Sequence, residues 1–328
     1  MSWDSRRWRR YVTTTAIAVA LAAMPEERRE IRQDSWVRRM MPRTYIVLLI
    51  VLVVSACREG PSDPPAAPAV AEAAPVPNLP DNAAGRLIAR AINAAGGWAA
   101  WQRHRDASFI TTLTIFDVLG NATSETIFLH KMPLHNGLKT RLESIGLEDE
   151  VVFGFDGRDT WMLRGGEAVT EPTRTAFTRF HALNTVYWFS LPFILAELPV
   201  EMSYVGSEND GKQRWEKVRV AYNDVPGTPA DWIVVYLDAT TGLIDRVHSH
   251  VRAEFLRQTL WVGRWQDYRD LDGIKKERRR TFFPADLTGK IVGNITAEQL
   301  VEHVRFDNGF TAEQFTKPLA AGGGSPAG

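Results

Sequence analysis

The residue best placed to carry chemistry is the single cysteine, Cys57, which directly follows the apolar run Tyr45–Ala56. One thiol forms no internal disulfide and supplies too few ligands for a Cys-based zinc or iron–sulfur site. Among seven histidines, His248-Ser249-His250 puts two imidazoles on one strand face, which is half of a metal site. No carboxylate stands at a matching spacing, so a polar, outward-facing strand is the plainer reading and no metal or cofactor is expected. The run Lys275-Lys276-Glu277-Arg278-Arg279-Arg280 aligns Lys276, Arg278 and Arg280. It suits either an exposed, soluble strand face or contact with anionic headgroups. No Gly-x-Ser-x-Gly elbow and no phosphate-cradling glycine loop occurs. A hydrolase is therefore the weakest reading, and no catalytic residue is assigned. Eleven tryptophans are the larger signal: they either fill a core or line a cavity, and alternation does not separate packed from hollow barrels.

The segment around Cys57 reads as an export signal. The basic flank Arg38-Arg39-Met40-Met41-Pro42-Arg43 precedes the apolar run, which is shorter than the roughly 20 residues a bilayer core needs. Its end, Val54-Ser55-Ala56-Cys57, resembles the bacterial lipobox. That resemblance implies diacylglycerol on the Cys57 thiol and cleavage before it; a non-lipidated signal or amino-terminal anchor ending in Cys is the alternative. Arg58 rather than Asp after the cysteine favours the outer membrane. Residues 1–39, with a second basic and apolar stretch at Arg6–Met24, read as a gene extension ahead of a start at Met40 or Met41. A twin-arginine signal through Ser5-Arg6-Arg7 lacks the rest of its pattern. Of 39 basic and 39 acidic residues, 10 and 5 precede Cys57, which leaves 29 against 34. A mildly acidic processed chain argues against a general nucleic-acid surface.

Residues 58–80 are rich in Pro and Ala and serve as a tether, and 319–328, Gly/Ser/Pro/Ala only from Ala320 onward, form a tail expected to be disordered. Between them, residues 81–318 form the expected domain. Asp81 is a candidate cap for a helix in which Leu87, Ile88, Ala91, Ile92 and Ala95 recur at helical spacing until Gly96-Gly97. Short β-rich runs follow: Phe109–Val118, Thr123–Met132, Leu138–Ser144, Val151–Asp156 and Thr160–Arg164. An aromatic helix over Thr173–Glu197, closed at Pro192, interrupts them. Strands resume at Met202–Gly206, Glu216–Tyr222, Trp232–Asp238, Ile244–Val251, Phe255–Tyr268, Ile274–Pro284 and Val301–Phe306. Asp-Gly and related turns between neighbours predict an antiparallel meander of ten or more strands, which must curl or close.

This layout, with Phe155-Asp156-Gly157, the run Tyr187-Trp188-Phe189-Ser190-Leu191-Pro192-Phe193, Tyr236-Leu237-Asp238 with Thr241-Gly242-Leu243, and Tyr268–Gly273 with Thr281–Pro284, resembles the LolA/LolB-like superfamily. Those are periplasmic lipoprotein carriers, receptors and relatives. The resemblance implies an α+β, mainly antiparallel β fold, a strongly curved and incompletely closed β-barrel with a helical lid over an apolar cavity. It further implies a non-catalytic, monomeric binding protein for a lipid or the acyl chain of a lipoprotein, tethered by Cys57 at the periplasmic face of the outer membrane. Tyr187, Trp188, Phe189 and Phe193 are then candidates for the lid, and Phe155, Trp161, Trp232 and Tyr236 for cavity walls. The alternative is an envelope interaction or sensor protein whose core is solid.

Overall fold

The structure, a computed structural model, describes residues 76–135, 137–222, 230–251 and 259–317. Cys57, the export signal and the tail lie outside the described residues. Helix α1 (Ala83–Ala94) is capped by Asn82, not Asp81: the extended Asn82 backbone lets its side chain accept the Gly85 N–H at 2.9 Å. Ile88, Ala91 and Ile92 form its buried stripe. Gly96 ends it with φ +121°, and a Cβ there would lie 2.1 Å from the Gly273 carbonyl oxygen. Only glycine permits that approach. A short helix α2 (Trp98–Arg103) follows.

Thirteen strands come next: β1 (Asp106–Phe116), β2 (Ala122–Pro133), β3 (Thr140–Ile145), β4 (Val151–Phe155), β5 (Thr160–Arg164), β6 (Glu167–Ala168), β7 (Glu201–Asn209), β8 (Arg214–Ala221), β9 (Ala230–Asp238), β10 (Ile244–Val251), β11 (Leu260–Leu271), β12 (Ile274–Pro284) and β13 (Ala297–Phe306). They make one antiparallel sheet in the order β6-β5-β4-β3-β2-β1-β13-β12-β11-β10-β9-β8-β7. The first and last strands meet near its middle, with Thr111 opposite Val301, so the two meanders fuse into a single sheet. Edges β6 and β7 are not paired with each other, and the sheet is open. Aspartate turns hold the hairpins as their sequences predict. Asp156 Oδ1 accepts from the Arg158 and Asp159 N–H groups, and Asp238 Oδ1 from those of Thr240 and Thr241.

Helix α3 (Pro172–Ser190) connects the two edge strands, with Pro172 at its start. The helix stops ahead of Pro192, as its sequence predicts, and a separate 3₁₀ turn, Phe193–Ala196, follows. Helix α3 packs on β3, β4 and β5. Two apolar clusters result. The larger joins α1, α2, the end of α3 and the 3₁₀ turn to side chains such as Val218, Val220, Ile233, Val235, Leu237 and Val247. The smaller holds Leu142, Phe153 and Phe155 of the sheet with Ala182 and Leu183 of α3.

Candidate functional site

The eight aromatic residues singled out from sequence divide between the two faces of the sheet. Five lie between helix and sheet. Phe189 stacks on Phe109 with centroids 4.3 Å apart, and Phe193 on Trp101 at 4.4 Å. Trp188 stands edge-on to Trp265 at 5.5 Å, and the Tyr187 hydroxyl bonds to that of Tyr222. Phe155 belongs to the smaller cluster, with the Arg179 guanidinium 5.0 Å above its ring. Rings stacked at such distances admit nothing between them, so the space under the end of α3 is filled by the chain's own side chains. Each fully buried side chain of this size is worth about 1.5–3 kcal/mol. Displacing Phe189, Phe193 and Trp188 together would therefore cost roughly 5–9 kcal/mol, as much as many whole domains possess.

Trp161, Trp232 and Tyr236 are on the other face. Trp161 pairs with Gly154, between the inward Phe153 and Phe155, and its Nε1 donates to the Phe315 carbonyl at 3.0 Å under the closing 3₁₀ turn Ala312–Phe315. Along β9, Ile233, Val235 and Leu237 enter the large core, whereas Trp232, Val234 and Tyr236 border an outward groove of about 320 Å³. Alternation put these three together correctly. The wall role expected for Trp161, Trp232 and Tyr236 under the helices does not hold, because strand pleating turns them away.

A buried polar group that sequence reasoning missed holds the end of α3. The basic run is not the exposed face it resembled: Lys276, Glu277 and Arg280 are each at most 2% exposed. Lys276 Nζ lies 3.1 Å from Glu277 Oε2, donates to the Leu191 carbonyl at 3.2 Å and sits 5.0 Å over the Phe189 ring. Arg280 Nε donates to Glu277 Oε1 at 2.7 Å, and its Nη1 to Gln299 Oε1 at 2.9 Å. Burial alone would raise the Glu277 carboxyl, but the Arg280 and Lys276 charges hold it below its usual value, while burial lowers Lys276. The trio pins the residue after α3 to β12. Its only trace in the sequence is one glutamate inside a run of cations.

His130 marks the seam between the two clusters. It stacks on Phe109 at 4.6 Å, meets Phe128 edge-on at 6.3 Å, and its Nε2 lies 2.6 Å from Thr111 Oγ1. Burial, then the Arg280 charge, lowers it to about 3, so the ring is neutral. Beyond this seam the packing loosens. Phe128, Val151 and Met162 are only partly buried against the smaller cluster, and Phe177 on the first half of α3 is 39% exposed. Thr178 touches Met162 there, Oγ1 to Sδ at 3.4 Å. His250 pairs with Asp231 at 2.7 Å. Among the described residues no three His, Cys, Asp or Glu side chains gather as a metal site would require.

No family model and no curated protein sequence matches the chain. Solved structures do. The fold is similar to a domain described as that of an outer membrane lipoprotein-sorting protein from Vibrio parahaemolyticus, at 15% identity and TM-score 0.46, covering 70% of this chain and 94% of that one. It is similar to a DUF1329 family protein from Desulfovibrio piger, at 11% identity and TM-score 0.46, covering 71% and 97%. A LolA superfamily protein from Nitrosomonas europaea aligns at 9% identity and TM-score 0.44, covering 71% and 97%. At these identities the likeness is one of fold, a mostly antiparallel open sheet with helices.

Proposed function

We propose that this protein shelters an apolar chain, from a lipid or from the acyl group of a lipoprotein, at the seam between the first half of α3 and strands β2–β5. In this reading it is held at the periplasmic face of the outer membrane through acylated Cys57. The observation that carries the reading is the uneven closure of α3. One end is locked by stacked rings and a buried ion trio, while the other rests on a small cluster flanked by half-covered Phe128, Val151 and Met162. Lifting the loose end alone exposes a continuous apolar strip, with no need to break the stacked rings.

Native mass spectrometry after gentle purification should show a lipid-sized adduct, and the full chain should take up a naphthylamine probe. Phe177→Glu, on a half-exposed position, should weaken uptake about tenfold, as loss of roughly 1.5 kcal/mol of apolar contact implies. Empty protein with no probe uptake in either form defeats the reading. Labelling with an alkyne fatty acid, lost in Cys57→Ala, tests the anchor separately. The interlocked rings favour one other reading, a solid-core interaction or sensor protein of the envelope. Crosslinking that captures a single protein partner, unchanged in Trp188→Ala, would select it.

A further inference from the structure

The face of the sheet away from the helices carries an ordered array of rings and cations. Alternate positions of β8 present Trp215, Lys217 and Arg219; those of β9 present Trp232, Val234 and Tyr236; β10 adds Arg246 and His248. Register sets Lys217 and Arg246 on either side of Tyr236. Arg219 lies 5.3 Å over Trp232, and Lys217 and Arg246 lie 5.7 and 4.7 Å over Tyr236. The chain after β12 folds back across this face. Gly289 (φ +84°) passes so close that a Cβ would be 3.0 Å from the Tyr236 hydroxyl and 3.1 Å from His248 Nδ1.

Two grooves, of about 320 and 460 Å³, flank this crossing and share Thr288. Their sizes fall in the range of small-molecule sites. Among the described residues Lys217, Arg219, Arg246, Arg264 and Lys290 line them; Glu208 pairs with Lys217 and Arg246, Asp245 also pairs with Arg246, and Asp286 faces Lys290, so the unbalanced positive charge is centred on Arg219. Among the described residues Arg219 has no carboxylate within ion-pair distance. His248 is 2% exposed and its Nε2 has no hydrogen-bond partner among the described residues, although burial keeps the ring neutral and able to use it. The lip of the first groove is apolar and open: Leu287 is 79% exposed and Val205 42%. Excess positive charge on an aromatic floor, an unused buried nitrogen and a greasy lip describe the complement of an anionic amphiphile.

We propose that this groove is a second ligand site, for an anionic glycerophospholipid. Its phosphate lies against Lys217 and Arg219, His248 Nε2 accepts from a headgroup hydroxyl, and the start of its acyl chains lies along Leu287 and Val205. The site is on the opposite face from α3 and does not depend on the apolar seam.

Titration calorimetry of the full chain with dihexanoyl phosphatidylglycerol, dihexanoyl phosphatidylcholine and inorganic phosphate tests this. The glycerol lipid should bind at least about tenfold tighter than either of the other two, as one charge-assisted contact and one apolar contact each imply. Lys217→Glu with Arg219→Glu should abolish that binding. Leu287→Ser, at a position too exposed to matter for folding, should weaken the lipid severalfold and leave phosphate unchanged, while Phe177→Glu should leave phosphate binding and the preference for the glycerol over the choline lipid unchanged. Equal affinity for the choline lipid, or an unaltered affinity in the Leu287 or double variant, overturns the proposal. Phosphate binding as tight as the lipid would make this a site for the free anion and overturn it equally.

Discussion

The two ends of helix α3 rest on the same sheet in different ways. At its C-terminal end, Phe189 and the following Phe193 stack on Phe109 and Trp101, and the Leu191 carbonyl is held by a buried lysine. Towards its N-terminal end, Phe177 is half in solvent and the helix meets only a small cluster around Phe153 and Phe155. The proposed sheltering of an apolar chain draws on this asymmetry. Local opening draws on the least stable contacts first, so in the proposed opening the first end would be the pivot and the second the leaf.

The largest blow to the pivot is Glu277→Gln. It leaves Lys276 and Arg280 buried without their counter-charge, and stability should fall by about 3–5 kcal/mol in urea denaturation. A loss below about 1 kcal/mol would show that the trio does not hold the helix end. Phe193→Ala should cost about 3 kcal/mol or more, and Leu183→Ala, at the leaf, about 2 kcal/mol, the low end of its class. Equal losses would erase the contrast. Hydrogen exchange should sharpen it without mutation: amides of residues 177–183 should exchange well before those of the buried ladder between β1 and β13.

The effect that is smallest at neutral pH lies at the seam. The neutral, buried His130 has its folded pKa at about 3, below the usual 6.5. Between those values the unfolded chain takes up a proton that the folded chain refuses, so stability falls as pH drops from about 6.5 and is unaffected above it. His130→Phe should remove that part of the slope, about 1.4 kcal/mol per pH unit at most. A slope identical in both proteins would mean that the ring is protonated in place.

Much of the fold was legible in the chain. Strand runs such as Thr160–Arg164, Ile244–Val251 and Ile274–Pro284 coincide with β5, β10 and β12, because alternation and Asp-containing turns are local signals. The two-residue β6 has too little pattern to register, and β13 begins four residues earlier than its apolar stretch because pairing with β1 and β12 extends it. The candidate site was legible by composition, not by position. Tyr187-Trp188-Phe189 and Phe193 were recognisable as a helix end meant for burial, whereas the seam around Phe128 and Met162 looks like any half-apolar strand.

By itself the sequence determined the elements, their turns, and which side chains share a face, since these follow from periods of two and 3.6 along the backbone. Only the tertiary structure decided which face of β9 the helices cover, that the first and last strands join, and that Glu277 is buried between two cations. Both sides of β9 are apolar, β1 and β13 are nearly 200 residues apart, and a charge inside a basic run has no periodicity. Each choice was left to packing between distant segments, which local pattern does not encode.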